Sequence, residues 1–245
     1  MNARLRLIPV VLASLGLAVA VVALADGHSA SSHRAGDPRL PSAQSAARVH
    51  QRARRVPEHR ARRARAARSP GSLPQTRARP PAGGAALAAR MANLWSAVQS
   101  GSPAVAVPAF FPRGAYIQLK AIPSAASDWQ SRLLHDFGLD IRAAHALLGR
   151  RASEARLVSV EVPESYAHWV PPGVCFNSIG YYEVPNARVL YRAGGHIRSF
   201  GIASMISWRG AWYVVHFGAI LRPSDTGKVD EPSSGRGVSL YSGTC

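Results

Sequence analysis

The stretch from Ile197 to Leu221, IRSFGIASMISWRGAWYVVHFGAIL, decides the fold class. It holds two runs rich in β-branched and aromatic residues, Ile197–Trp208 and Trp212–Leu221. Between them stands Arg209-Gly210, a pair that tolerates the left-handed backbone a tight hairpin needs. Upstream, Ala155–Val162, Ser178–Val184 and Arg188–Tyr191 read as further strands, with turns expected at Pro185-Asn186 and Gly194-Gly195. Together they predict an antiparallel meander. In its last run Tyr213, Val215, Phe217 and Leu221 point one way, and Trp212, Val214, His216 and Ile220 the other. Both faces are apolar, so both must be covered. Helices with a single apolar stripe cover one face. The loop 163–177 shields part of the other, and a homodimer packed sheet against sheet is the expected cover for the rest.

The helices come before the strands. Trp129, Leu133, Phe137, Ile141, Ala144 and Leu148 recur every three or four residues behind the capping-box pattern Ser127-Asp128-Trp129-Gln130, and Gly149 follows. This predicts a helix over 128–148 whose other face turns Asp128, Arg132, Asp136 and Asp140 to solvent. Leu87, Met91, Leu94, Trp95 and Val98 give a second helix over 85–100, closed by Gly101, and Ser102-Pro103 opens a short third one. Ala115–Ile122 reads as a short strand, with Ile117 and Leu119 on one side and Tyr116, Gln118 and Lys120 on the other. The fold class is therefore α+β, with helices packed on a curved antiparallel sheet.

Composition divides the 245 residues unevenly. Every aromatic lies between Trp95 and Tyr241, whereas residues 27–84 hold 13 Arg and only two acids, Asp37 and Glu58. Only the part after residue 84 has the side chains to build a core, which leaves room for one domain and excludes a multidomain enzyme. Residues 1–25 carry Arg4, Arg6 and an apolar run from Leu7 to Leu24 that ends in Ala23-Leu24-Ala25. They read as a cleaved signal peptide or an uncleaved transmembrane anchor, and either form places the rest outside the cytoplasm, secreted or in the cell envelope. Residues 26–84 form a disordered Arg/Ala/Pro-rich linker, 85–221 the domain and 222–245 a flexible tail. The stretch 34–79 is either a solvated spacer or a tether to an anionic membrane surface or wall polymer. No aromatic interleaves its arginines to stack bases, so specific nucleic-acid recognition is not expected. The only cysteines, Cys175 and Cys245, are an even pair in an exported chain and are expected to form a disulfide.

The order of helices followed by long antiparallel strands, with the closing strand Gly210-Ala211-Trp212-Tyr213-Val214-Val215-His216-Phe217, resembles the nuclear transport factor 2-like (SnoaL-like) cone fold. Phe110-Phe111-Pro112, Tyr116–Ile122, Asp128-Trp129 and Ile206–Gly210 resemble uncharacterised exported proteins of actinobacterial type. The resemblance covers residues 86–221 and implies a cone with a pocket at its open end. That fold serves isomerases, cyclases, dehydratases and non-catalytic binding domains alike, so it fixes no chemistry.

The residues themselves exclude several classes. No Gly-x-Ser-x-Gly elbow exists, Gly235-Arg236-Gly237 follows no strand and lacks a third glycine, and His135 and His145 are out of phase on their helix. No metal and no cofactor is implied. His216, mid-strand among apolar neighbours, is the candidate general base. Tyr182 and Trp208, with Tyr166, His168 and Trp169 from the Pro-bounded loop, are candidate ligand contacts beside it. Glu161 and Glu183 are the strand carboxylates. The expected role is an exported, non-catalytic ligand- or partner-binding domain on a basic stalk; the alternative is a small-molecule enzyme working by acid–base chemistry in the cone.

Overall fold

The structure, a computed structural model, describes residues 69–223 and 225–240, all within one compact unit. The apolar N-terminal segment, the Arg-rich run up to Arg68 and Cys245 lie outside the described residues. Among the described residues no helix is long and apolar enough to cross a membrane.

Among the described residues five α-helices precede the sheet: α1 (Ala85–Ser100), α2 (Pro103–Ala106), α3 (Arg113–Leu119), α4 (Ala125–Asp128) and α5 (Leu134–Leu148). α1 ends at Gly101 and α5 at Gly149, both at positive φ, as a helix stop requires. The helical path from α4 to α5 is continuous, but Trp129–Leu133 adopt the wider π geometry. It begins after Ser124, so Ser127 lies inside the helix and caps nothing.

Two expectations for this half change. Residues 113–119 are helical rather than extended. Pro112 sets the first turn, and Ala115, Tyr116 and Leu119 form a buried i, i+1, i+4 stripe, while Ile117 faces solvent. Asp140 is buried rather than solvated. Its carboxylate accepts from both Arg222 guanidinium nitrogens (2.6 and 2.9 Å) and from the Gly218 and Lys228 amides (2.9 and 3.0 Å).

The six strands are β1 (Arg156–Glu161), β2 (His168–Val170), β3 (Tyr181–Ala193), β4 (His196–Trp208), β5 (Ala211–His216) and β6 (Asp230–Ser233). They form one open antiparallel sheet in the order β1-β3-β4-β5, with β2 on the far half of β3 and β6 on the far half of β4. The Gly194-Gly195 and Arg209-Gly210 hairpins stand where the sequence places them. The turn expected at Pro185-Asn186 does not exist. β3 runs through it with unbroken register, Pro185 opposite Ser204 and Ala187 opposite Ile202. Proline is tolerated there because β2 stops pairing at Glu183 and β1 starts at Arg188, leaving no neighbour on that side.

α1 and α5 pack on the sheet through an aromatic chain. Trp95 meets Tyr191, and Phe110 stacks on Phe137, which meets Phe217. Trp212, Tyr213, Val214, Val215 and Phe217 are all buried within the single chain. Ile220 and Leu221, the other large apolar residues of that run, are exposed. Part of the cover over the buried residues is unexpected. The described residues 69–84, which precede the boundary expected at Ala85, already pack on the domain. Trp208 Nε1 donates to the Pro70 carbonyl at 2.8 Å, Gln75 bonds both Ser207 and Arg209, and Arg77 lies over the Trp169 ring. The C-terminal segment likewise is no free tail. β6 pairs with Ser199 and Gly201 of β4, and Tyr166 reaches the Ser239 carbonyl.

Candidate functional site

A cavity of about 120 Å³ opens between the π segment, α3 and strands β3–β5. An apolar cavity of about 150 Å³ accommodates a benzene ring, so this one takes a molecule of about six heavy atoms, or several waters. Leu119, Leu133, Ile206 and Val215 form its apolar wall. Tyr116, Lys120, Arg132, Tyr181, Glu183, Ser204 and His216 supply its polar groups. Ile220 and Arg132, the most exposed of the lining residues, mark the mouth.

The helical side is organised by charge. The Arg132 guanidinium donates through Nε to Asp128 Oδ1 (2.7 Å) and through Nη2 to Oδ2 (2.6 Å), the two-point pairing that fixes its plane. This hydrogen bonding holds the Asp128 carboxyl below its usual range. The Tyr116 hydroxyl donates to the same carboxylate, and burial together with that neighbour pushes the phenol well above its ordinary value. Tyr116 and Lys120 stand four residues apart, on the last turn of α3 and just past its end. The Lys120 ammonium nitrogen lies 2.9 Å from the Cys175 carbonyl, and burial, reinforced by Arg132, lowers its pKa.

The sheet side places Glu183, Ser204 and His216 on three neighbouring strands. Ser204 pairs with His216 in register, and its hydroxyl donates to Glu183 Oε1 at 2.8 Å. Burial, then the positive charges of Arg132, Arg222 and Lys120, lower His216 to about 4. Its imidazole is therefore neutral at physiological pH. Burial pushes Tyr181 up to about 12, so both pocket phenols keep their protons.

Of the residues singled out in the sequence, His216 lines the cavity and Glu183 joins it. His168 lies behind Glu183, its Nε2 3.9 Å from Oε2. The others are elsewhere. Trp208 is fully buried against Pro70 and Phe111. Tyr182 packs edge-on against Trp169 at 5.1 Å, with Arg79 over its ring, and Tyr166 turns to the C-terminal segment. Glu161 is exposed and paired with Arg236. Cys175 is disulfide-bonded. Tyr116, Lys120, Arg132, Tyr181 and Ser204 were not expected at the site. The alternating reading already sets Tyr116 and Lys120 on one side; what it does not give is the helix that lays that side on the cavity. Among the described residues no group of three or more His, Cys, Asp or Glu gathers to hold a metal ion. Comparison of the chain with protein-family models, curated proteins and solved structures returns no match.

Proposed function

We propose that this domain is a non-catalytic binding module whose pocket takes a small anion, a short carboxylate above all. The observation that carries this reading is the convergence of Lys120, Arg132 and two protonated phenols on one small cavity. Cations and hydroxyl donors around a partly dry space favour a compact anion, because their attraction is screened less there than in water. Glu183 lines the same cavity and opposes part of this field; its Oε1 accepts from the Ser204 hydroxyl and its Oε2 lies 3.9 Å from His168 Nε2. The small volume argues for a ligand of about six heavy atoms rather than a nucleotide or a lipid chain. In this proposal the curved sheet acts as the cone that the sequence resemblance implies. The exported setting read from the N-terminal residues makes the ligand an extracytoplasmic one.

The alternative, acid–base catalysis with His216 as the base, has less support. A base with a pKa of about 4 is two to three units from the match with neutral pH that efficient proton abstraction needs.

The test is a titration of the full chain with acetate and with propanoate, followed through the histidine ring resonances. His216 among the nine histidines is identified by its loss in His216→Gln. A bound carboxylate offsets part of the positive field, so the His216 pKa rises on binding. The reading fails if neither acid moves that resonance.

A further inference from the structure

Arginine outnumbers lysine 28 to 2 in this chain, and one of the two lysines is a pocket residue. Both side chains serve for ion pairing, but a guanidinium does not lose its proton in a protein and an ammonium does. Lys120 is therefore the one amine at the cavity able to present a lone pair; the neutral His216 imidazole carries one too, but has no N–H2 group from which an imine could form. The surroundings of Lys120 favour its neutral form. It is half-buried, its nitrogen donates to the Cys175 carbonyl at 2.9 Å, and the Arg132 guanidinium stands on the same cavity wall. As a neutral amine it satisfies the carbonyl with one N–H and keeps its lone pair free for another partner. Asp128 and Glu183 face it with the opposite sign. Asp128 is committed to Arg132 and Tyr116, and Glu183 to Ser204. Desolvation beside a second cation is one of the arrangements that make lysine amines nucleophilic towards carbonyl carbon. The other lysine, Lys228, is solvent-exposed.

We propose that Lys120 is a carbonyl-reactive amine that captures a short 2-oxo carboxylate as an imine inside the pocket. The inference rests on the anion-binding reading above, since the ligand's carboxylate is what Arg132 would hold. In the step, the amine nitrogen adds to the 2-carbon and a C–N bond forms. The carbonyl C–O bond then breaks, and the oxygen leaves as water with the two hydrogens that began on nitrogen. Electrons balance without an oxidant or reductant. The Tyr116 hydroxyl stays with Asp128, so solvent entering at the open mouth carries the protons from nitrogen to the departing oxygen.

The experiment exposes the full chain to pyruvate with cyanoborohydride, which reduces an imine to a stable secondary amine, at about pH 7. Adducts at Lys120, Lys228 and the N-terminal amine are then quantified by peptide mass mapping. Lys120 is expected to be labelled about tenfold above the exposed Lys228. Lys120→Arg, which keeps the charge and the reach to the Cys175 carbonyl, abolishes that adduct, and Lys228→Arg leaves it intact. Equal labelling of both lysines, or labelling confined to Lys228 and the N-terminus, overturns the inference. If the His216 resonance still responds to acetate in that case, the anion pocket stands and only the covalent step is lost. Labelling of Lys120 by neutral acetone as readily as by pyruvate upholds the reactive amine and overturns the carboxylate site. Absence of both responses removes the two readings together.

Discussion

The Tyr116 hydroxyl donates to Asp128 Oδ2 at 2.5 Å, across the turn that separates α3 from α4. The contact joins two short helices, and through Asp128 it sets the plane of Arg132. Tyr116→Phe is expected to cost about 1 kcal/mol of stability, a typical net value for one hydrogen bond, with a larger effect on carboxylate binding. Asp128→Asn, which leaves Arg132 without its counter-charge, is expected to lower affinity for acetate through a displaced guanidinium. Urea unfolding and the His216 titration measure the two effects separately. Equal loss of stability and binding in both variants would show a purely structural contact.

His216 and Asp230 make opposite demands on pH. The His216 value of about 4 lies below the 6.5 of a free imidazole. The folded state then binds fewer protons, so this contribution is full above about pH 6.5 and is lost as pH falls towards 4. Asp230 is buried, and burial with its neighbour Glu231 raises it from 3.8 to about 6 against the pull of Arg188 and Lys228. Its contribution is full below about pH 3.8 and is lost as pH rises to 6. Each amounts to at most about 3 kcal/mol, and over the shared window they offset one another. Asp230→Asn should therefore lose stability on acidification relative to wild type, and His216→Gln should gain it. Parallel curves for all three proteins, from urea unfolding at a series of pH values, would contradict this.

Removal of residues up to Gly84 is expected to destabilise the domain by about 2 kcal/mol or more, because it strips the acceptor from the buried Trp208 indole as well as the Gln75 and Arg77 contacts. A chain that begins at Ser69 should melt as the full one does. Identical melting of the two shortened chains would show that the segment contributes nothing.

Asp140→Ala leaves the Arg222 guanidinium buried without its partner and frees two backbone amides. A loss of about 3–5 kcal/mol is expected, the range for breaking a buried pair from one side. Replacing both residues, as Asp140→Leu with Arg222→Met, should recover part of it. A loss below about 1 kcal/mol in the single variant would show that the chain after β5 is held by other means.

Much of the fold was legible in the residues, and for definite reasons. α1, α5 and the two hairpins rest on apolar spacing and on the turn pairs Gly194-Gly195 and Arg209-Gly210, signals local enough to survive without tertiary context. α3 was missed because seven residues with Tyr116, Ile117 and Leu119 satisfy an alternating pattern nearly as well as a helical one. Residues 69–84 and 222–240 were read as loose because they lack apolar side chains. They are held instead by polar contacts with residues more than a hundred positions away, by the pairing of β6 with β4 and by a carboxylate on α5. The site was legible only on the sheet, where His216 stands out among apolar neighbours. Its charged half comes from a misread helix and from an Asp–Arg pair at i, i+4 spacing, which in a sequence looks like any solvated helix face.

The π segment at Trp129–Leu133 holds one residue more than the α-helix it interrupts. Each residue turns a helix by about 100°, so everything on α5 is phased as if an amino acid had been inserted between it and α4. Deletion of Gln130 or Ser131 would let the helix close into regular α geometry. It would then swing Asp128 and Tyr116 out of alignment with Arg132 while α5 kept its seat on the sheet. The site is in this sense a length variant of an ordinary helix, and a one-codon deletion is the shortest path by which the domain could lose its pocket and keep its fold.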